Sequence, residues 1–210
     1  MNLLKTLKPF ASDKKESRVA MCSVVRQGQT HIATNGASMA VVGPKAASGP
    51  VVNVETGEEV PNYPNWQRVY PAEVQLFMRV ERRQLLAIAQ AFLAAAKGLL
   101  EKKKQLDDTI AFEVQNGRLF AHWQGAFEMK ASAWCESHPC AIAEGSAFAF
   151  GAGHLVRVLS AMESYMVDIY CQPTSGGFYA EARAMVFVPH NEDLHEGLRI
   201  ILMPVKLRES

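Results

Sequence analysis

The stretch Arg82–Trp134, RRQLLAIAQAFLAAAKGLLEKKKQLDDTIAFEVQNGRLFAHWQGAFEMKASAW, joins a helix-spaced apolar stripe to a series of short, turn-separated extended runs. Leu85, Ile88, Ala89, Phe92, Leu93 and Ala96 recur at i, i+3, i+4 and i+7, which predicts a helix over Arg82–Leu100 with one apolar face. From Thr109 the pattern becomes Thr109–Val114, Arg118–Trp123 and Phe127–Trp134, separated by Asn116-Gly117 and Gln124-Gly125. Asn-Gly between extended runs is the strongest short-range hairpin signal, and each glycine can supply the positive φ that a tight turn requires. The stretch reads as a helix followed by an antiparallel meander.

The same theme occurs on both sides of it. Upstream, Leu3, Leu4, Leu7 and Phe10 are spaced for a helix that ends near Pro9. A charged loop over Asp13–Arg18 precedes strands expected at Val19–Arg26, Thr30–Thr34 and Ser38–Val42, with a turn at Asn35-Gly36. The segment Gly43–Pro64 is rich in Pro, Gly, Asn and Ser and reads as a connector, with a short hairpin at Thr56-Gly57. Downstream, Phe148-Ala149-Phe150 leads into a helix over Gly153–Met162, then strands at Val167–Gln172, Phe178–Val188 and Leu198–Lys206. A unit repeated roughly every 60–70 residues implies an α+β architecture, with helices on one face of a continuous antiparallel sheet.

Composition narrows function by exclusion. The chain has 210 residues, 49% apolar and 20% charged, as expected of a soluble globular protein able to bury a core. Its net charge of +1 gives no global attraction to nucleic acid, so any DNA contact needs a local basic patch. No apolar run reaches membrane-spanning length, the N-terminus lacks the pattern of a signal peptide, and four cysteines without an export signal point to reduced thiols in the cytoplasm. A P-loop, a dinucleotide-binding glycine fingerprint, a Gly-x-Ser-x-Gly and a His-Glu-x-x-His are all absent from the sequence. No enzyme is visible and no cofactor is implied.

Three separated motifs resemble the bacterial β sliding clamp family. Ile32-Ala33-Thr34-Asn35-Gly36-Ala37-Ser38-Met39-Ala40-Val41 is similar to that family's Ala-Thr-Asp-Gly-His-Arg-Leu-Ala-Val hairpin. Tyr63-Pro64-Asn65-Trp66-Gln67-Arg68-Val69-Tyr70-Pro71 is similar to its Phe-Pro-Asp-Tyr-Arg-Arg-Val-Leu-Pro connector, and Met203-Pro204-Val205-Lys206-Leu207 to its Met-Pro-Met-Arg-Leu ending. The resemblance covers Leu3–Val42 and Tyr63–Leu207. It implies a partial clamp-like domain over 1–60 and a complete one over 61–210, whereas a full clamp subunit carries three domains. Asn35, Ala37 and Ser38 replace the family's Asp and His-Arg, which removes charge from the rim.

The resemblance implies a hydrophobic cleft for linear motifs of a DNA polymerase or another replication protein, formed by Thr34, Gly36, Met39, Pro64, Arg68, Val69, Ile201, Met203, Pro204 and Val205. The residue types suit that task, since methionines make adaptable walls and Arg68 can bond a peptide carbonyl or carboxylate. It also implies helices that face duplex DNA without reading sequence, with Lys5, Lys8, Arg82, Arg83, Lys97 and Arg157 as phosphate-facing cations and His154 beside them. The Lys102-Lys103-Lys104 run reads as a solvated helix end. Encircling DNA requires a homo-oligomeric ring, and the three half-domain units do not match the family's usual count per subunit.

Two other readings remain open. One is a monomeric clamp-derived adaptor or decoy that keeps the cleft but never encircles DNA. The other is a zinc-stabilised regulatory protein built on Cys135, His138 and Cys140, although these are only three ligands and no second paired group completes them. The segment Cys135–Cys140 is expected to be a turn after a strand, and no metal site is assigned.

Overall fold

The computed structural model describes residues 2–12, 19–98, 108–124, 130–139, 145–172, 184–192 and 197–205. Helix α1 (Leu3–Leu7) is capped by Asn2, whose side chain accepts from the backbone N–H of Lys5, and Pro9 falls in the tighter turn that ends it. Strands β1 (Val25–Gln27), β2 (Thr30–Thr34) and β3 (Ser38–Val42) form a meander, and the connector holds β4 (Val51–Asn53) and the one-turn helix α2 (Trp66–Val69). Two βαβββ units follow. The first is β5 (Gln75–Glu81), α3 (Arg82–Gly98), β6 (Thr109–Gln115), β7 (Arg118–Gln124) and β8 (Lys130–Pro139). The second is β9 (Ala147–Gly151), α4 (Ala152–Ser160), β10 (Met166–Cys171), β11 (Met185–Pro189) and β12 (Leu198–Leu202).

The strands join antiparallel in the order β4-β1-β2-β3-β12-β11-β10-β5-β8-β7-β6-β9. The fold is α+β. Because side chains alternate along a strand, each strand contributes to two faces. Ala33, Ala40, Phe187, Ile200 and Leu202 pack toward the helices, in one core with Leu85 and Phe92 of α3 and Leu155 and Leu159 of α4. Their neighbours Ile32, Met39, Val41, Val186 and Ile201 form a second core, covered by Trp66 and Tyr70 of the connector. Strands β11 and β12 are therefore buried at every position. An aromatic chain ties the two βαβββ units together. Phe77 of β5 meets Phe148 of β9 edge-on, Phe148 stacks on Phe112 of β6 at 5.4 Å, and Phe150 of β9 reaches Phe187 of β11 at 5.8 Å.

A buried arginine pins the connector. Arg199 of β12 has no exposed surface, donates from Nη2 to the Gly43 carbonyl and lies 5.5 Å from the centre of the Tyr70 ring. Lys45 approaches the same ring at 4.7 Å and donates to the Pro71 carbonyl at 2.9 Å. Helix α4 is anchored as firmly. Asp108 accepts from the backbone N–H of Gly153 through Oδ2 at 2.7 Å, and from that of Ala152 through its own carbonyl at 2.8 Å. A Cβ at Gly153 would sit 3.2 Å from that carboxylate oxygen, a tight contact that Asp108 would have to relieve by a small shift.

Several expectations are corrected. Val19–Met21 is a tight helical turn, and the strand starts only at Val25. Strand β5 was not anticipated, because it runs into α3 with no turn residue between them. Strand β8 continues to Pro139, so the expected turn after Trp134 is strand up to that point. Strand β12 ends at Leu202, just ahead of Pro204, which has no N–H to donate to a ladder. The hairpin at Thr56-Gly57 is present, with Val52 bridged to Glu59 and Gly57 at φ 75°. The Asp13–Arg18 loop, Lys102–Lys104, the Gln124-Gly125 turn beyond Gln124, and most of Phe178–Val188 lie outside the described residues.

Arg199→Ala is expected to lower stability by about 1.5–3 kcal/mol, the scale of a lost buried hydrogen bond to a charged group. Lys8→Ala breaks only an exposed pair with Glu55 and is expected to change stability by less than about 0.5 kcal/mol. Urea denaturation of the two variants checks the contrast.

Candidate functional site

The hairpin between β2 and β3 is locked by its own polar atoms. Asn35 Oδ1 accepts from the N–H groups of Ala37 and Ser38 at 3.0 and 2.9 Å, and Gly36 donates to Thr34 Oγ1 at 3.1 Å. Thr34 Oγ1 in turn donates to the Ser38 carbonyl at 3.0 Å. Gly36 holds φ at 88°, a conformation that side chains rarely adopt. The Asn-Gly pair was legible as a turn, and the Asn35 side chain is what makes the tip rigid.

This hairpin meets the end of β12. Ile201 stands opposite Met39 and Leu202 opposite Ser38, and beyond the strand Met203 donates to the Ala37 carbonyl at 3.2 Å. The chain then crosses to β9, where Val205 donates to the Ala149 carbonyl at 2.8 Å. On the other side, Trp66 of α2 is buried in one cluster with Met39 and Ile201, and its indole N–H donates to Gln27 Oε1 at 2.8 Å. That anchor holds α2 against the sheet with Arg68 and Val69 outward. Trp66 was missing from the expected site. Its signal was an aromatic residue in a segment otherwise rich in turn formers.

All three segments therefore converge, but the ten residues do not play one role. Thr34, Met39 and Ile201 are buried at 8, 3 and 1% exposure and form the floor. Gly36, Pro64 and Arg68 are exposed at the rim, and Pro204 is half-buried. Val69, Met203 and Val205 are 45, 41 and 40% exposed, so three of the five large exposed hydrophobic residues among those described lie here. Tyr63 adds a hydroxyl that is buried with no hydrogen-bond partner among the described residues, and burial pushes its pKa up. It is a neutral donor beside Pro64.

The expected DNA-facing cations divide as well. Lys5, Arg83 and Lys97 are exposed, and Arg157 is half-buried on α4. Lys8 pairs with Glu55 at 3.0 Å on the surface. Arg82 is committed within the protein, donating to the carbonyls of Ser164 at 2.7 Å and Leu159 at 3.1 Å, so it fastens α3 to the end of α4. Burial first and Arg157 second lower the pKa of His154, which disfavours its cationic form.

The proposed zinc ligands are separated by strand geometry. Cys135 is buried in the helix-side core, while His138, three residues on in the same strand, is exposed on the opposite face. Cys140 lies outside the described residues, and among those described no group of His, Cys, Asp and Glu could hold a metal.

No protein-family model matches the chain, and no curated protein matches it in sequence. Solved structures do match in fold. The β sliding clamp of C. crescentus superposes with a TM-score of 0.71 at 16% identity, over 97% of this chain and 63% of that one. The β subunit from DNA polymerase of Streptococcus pyogenes gives 0.70 at 16% identity, over 98% and 64%. A DnaN sliding clamp from Bartonella birtlesii bound to griselimycin gives 0.71 at 15% identity, over 97% and 63%. The chain thus spans less than two thirds of the length of these clamps. Among the described residues, no helix is long and apolar enough to cross a membrane. At this level of identity the likeness establishes the architecture, and the chain has the sliding-clamp fold.

Proposed function

We propose that the chain is a sliding-clamp-like processivity factor of DNA replication or repair. It captures linear motifs of a DNA polymerase or another replication protein at the surface formed by the β2–β3 hairpin, α2 and the segment after β12. The supporting observation is that Val69 and Met203 are exposed beside buried Trp66 and Ile201, which share one cluster with Met39, and that Val205 is exposed further along the same terminal segment. A Leu or Phe anchor buried there contributes roughly 1.5–3 kcal/mol, and two anchors offset by ordering of the peptide give affinity on the order of micromolar. Such affinity suits exchange between partners. No step of this role needs a catalytic residue.

In this reading residues 1–60 are a partial clamp domain and 61–210 a complete one, and the helix side lies toward duplex DNA. Lys5, Arg83, Lys97 and Arg157 supply cations that attract phosphates without reading bases. An oligomer would straddle or encircle the duplex. A second reading, a clamp-derived adaptor that is not retained on DNA, is favoured by β4, which occupies the flank of β1 with residues of the chain's own connector.

Met203→Ala combined with Pro204→Ala is expected to weaken a Leu/Phe-containing polymerase peptide at least about tenfold in calorimetric titration. Unchanged affinity would remove the site assignment. Duplex DNA of arbitrary sequence is expected to bind with a salt slope that becomes shallower by about 1–2 in Arg83→Ala/Lys97→Ala. Peptide binding with no measurable DNA binding at low salt would select the adaptor.

A further inference from the structure

Two tyrosines flank α2, Tyr63 before it and Tyr70 after it, and both pack with the core that holds Met39, Trp66 and Ile201. Their hydroxyls differ. That of Tyr70 is hydrogen-bonded by Arg199, whose guanidinium also lies over the ring. That of Tyr63 is buried and has no hydrogen-bond partner among the described residues.

A buried donor without a partner gives up its hydrogen bonds to water and recovers none, which lowers the stability of the folded chain. Phenylalanine would fill the same space without that loss. The connector motif that this segment resembles has phenylalanine at the position of Tyr63 and leucine at that of Tyr70, so both hydroxyls are additions in this chain. The contact with Arg199 explains the second. Among the described residues, no contact within the fold explains the first.

The position of Tyr63 ties its hydroxyl to the candidate peptide site. Asn62 takes a left-handed conformation, φ 59°, immediately before it. The chain then passes through Pro64 at the rim into α2, where Trp66 is anchored in the same core and Val69 is exposed. Tyr63 as a whole is half-buried although its hydroxyl oxygen is enclosed, so the polar tip is directed inward. The hairpin side of the site has changed in the opposite sense. Ala37-Ser38 stands where the resembled motif has His-Arg, so a donor is gained on the connector where donors are lost on the hairpin.

We infer that Tyr63 determines specificity in the peptide site, its hydroxyl donating to a backbone carbonyl of the bound peptide. The inference rests on the peptide-site reading and deepens it by naming the polar contact. A neutral carbonyl is the acceptor that fits, since an enclosed carboxylate would need a countercharge and Arg68 is exposed at the rim. Burial raises the pKa of the phenol, so it keeps its proton through the physiological range. A peptide reaches the hydroxyl by displacing the side chains packed over it. The bond therefore forms late and shows chiefly in the dissociation rate.

Tyr63→Phe, measured beside Met203→Ala/Pro204→Ala with one Leu/Phe-containing polymerase peptide, tests it. The expected effects have opposite signs. The urea midpoint of Tyr63→Phe should rise, because the uncompensated hydroxyl is gone, while its peptide affinity should fall about fivefold, mainly through faster dissociation. Tyr70→Phe, which removes a satisfied hydroxyl, should instead lower the midpoint. A lower midpoint in Tyr63→Phe would overturn the inference. So would unchanged affinity in Tyr63→Phe while Met203→Ala/Pro204→Ala binds at least about tenfold more weakly, and that result would leave the peptide site standing. Unchanged affinity in both variants, or no binding by the wild type, would overturn the inference and the peptide site together.

Discussion

The pairing of β3 with β12, from Leu198 against Val42 to Leu202 against Ser38, is the constraint on which the rest depends. It joins the first meander to the last across more than 150 residues of sequence, so its loop-closure entropy is lost before any local contact compensates. What compensates is burial on both faces. Ile200 and Leu202 go to the helix-side core, Ile201 goes under the connector, and Arg199 secures Gly43 and Tyr70 over it. The same pairing sets Met203 beside Ala37 and assembles the floor of the candidate peptide site.

Much of this was legible because the signals were local. The stripe from Leu85 to Ala96 and the Asn-Gly turns located α3, the first hairpin and the β6–β7 hairpin. The strands Thr30–Thr34 and Ser38–Val42 were read with their observed bounds. What was missed depends on tertiary context. Strand β5 has no boundary residue separating it from α3, and its burial comes from lying between β10 and β8. Arg82 looked like a free cation because the Ser164 and Leu159 carbonyls that hold it are far away in sequence. Trp66 was one aromatic residue in a turn-rich connector, and only the packed cluster shows it to be the anchor of α2.

The candidate site illustrates the same limit. Its three segments were named from short motifs, yet the sequence did not divide floor from rim. That division follows from strand parity. Met39 and Ile201 face inward to Trp66, and exposure returns only where the chain leaves the sheet at Met203. The helix side shows a related pattern, in which cations at Lys5, Arg83 and Lys97 remain in solvent while Arg82 is drawn inward.

The central claim is that the hairpin, α2 and the segment after β12 act as one peptide-binding surface. The most direct measurement is methyl NMR of the methionine and valine side chains during titration with a Leu/Phe-containing polymerase peptide. The account predicts shifts concentrated at Met203, Val205 and Val69, a smaller response at Met39 beneath them, and none at Met78 or Met162 in the helix-side core. Saturable binding with shifts confined to other methyl groups, or no shift at any of these positions, would contradict it.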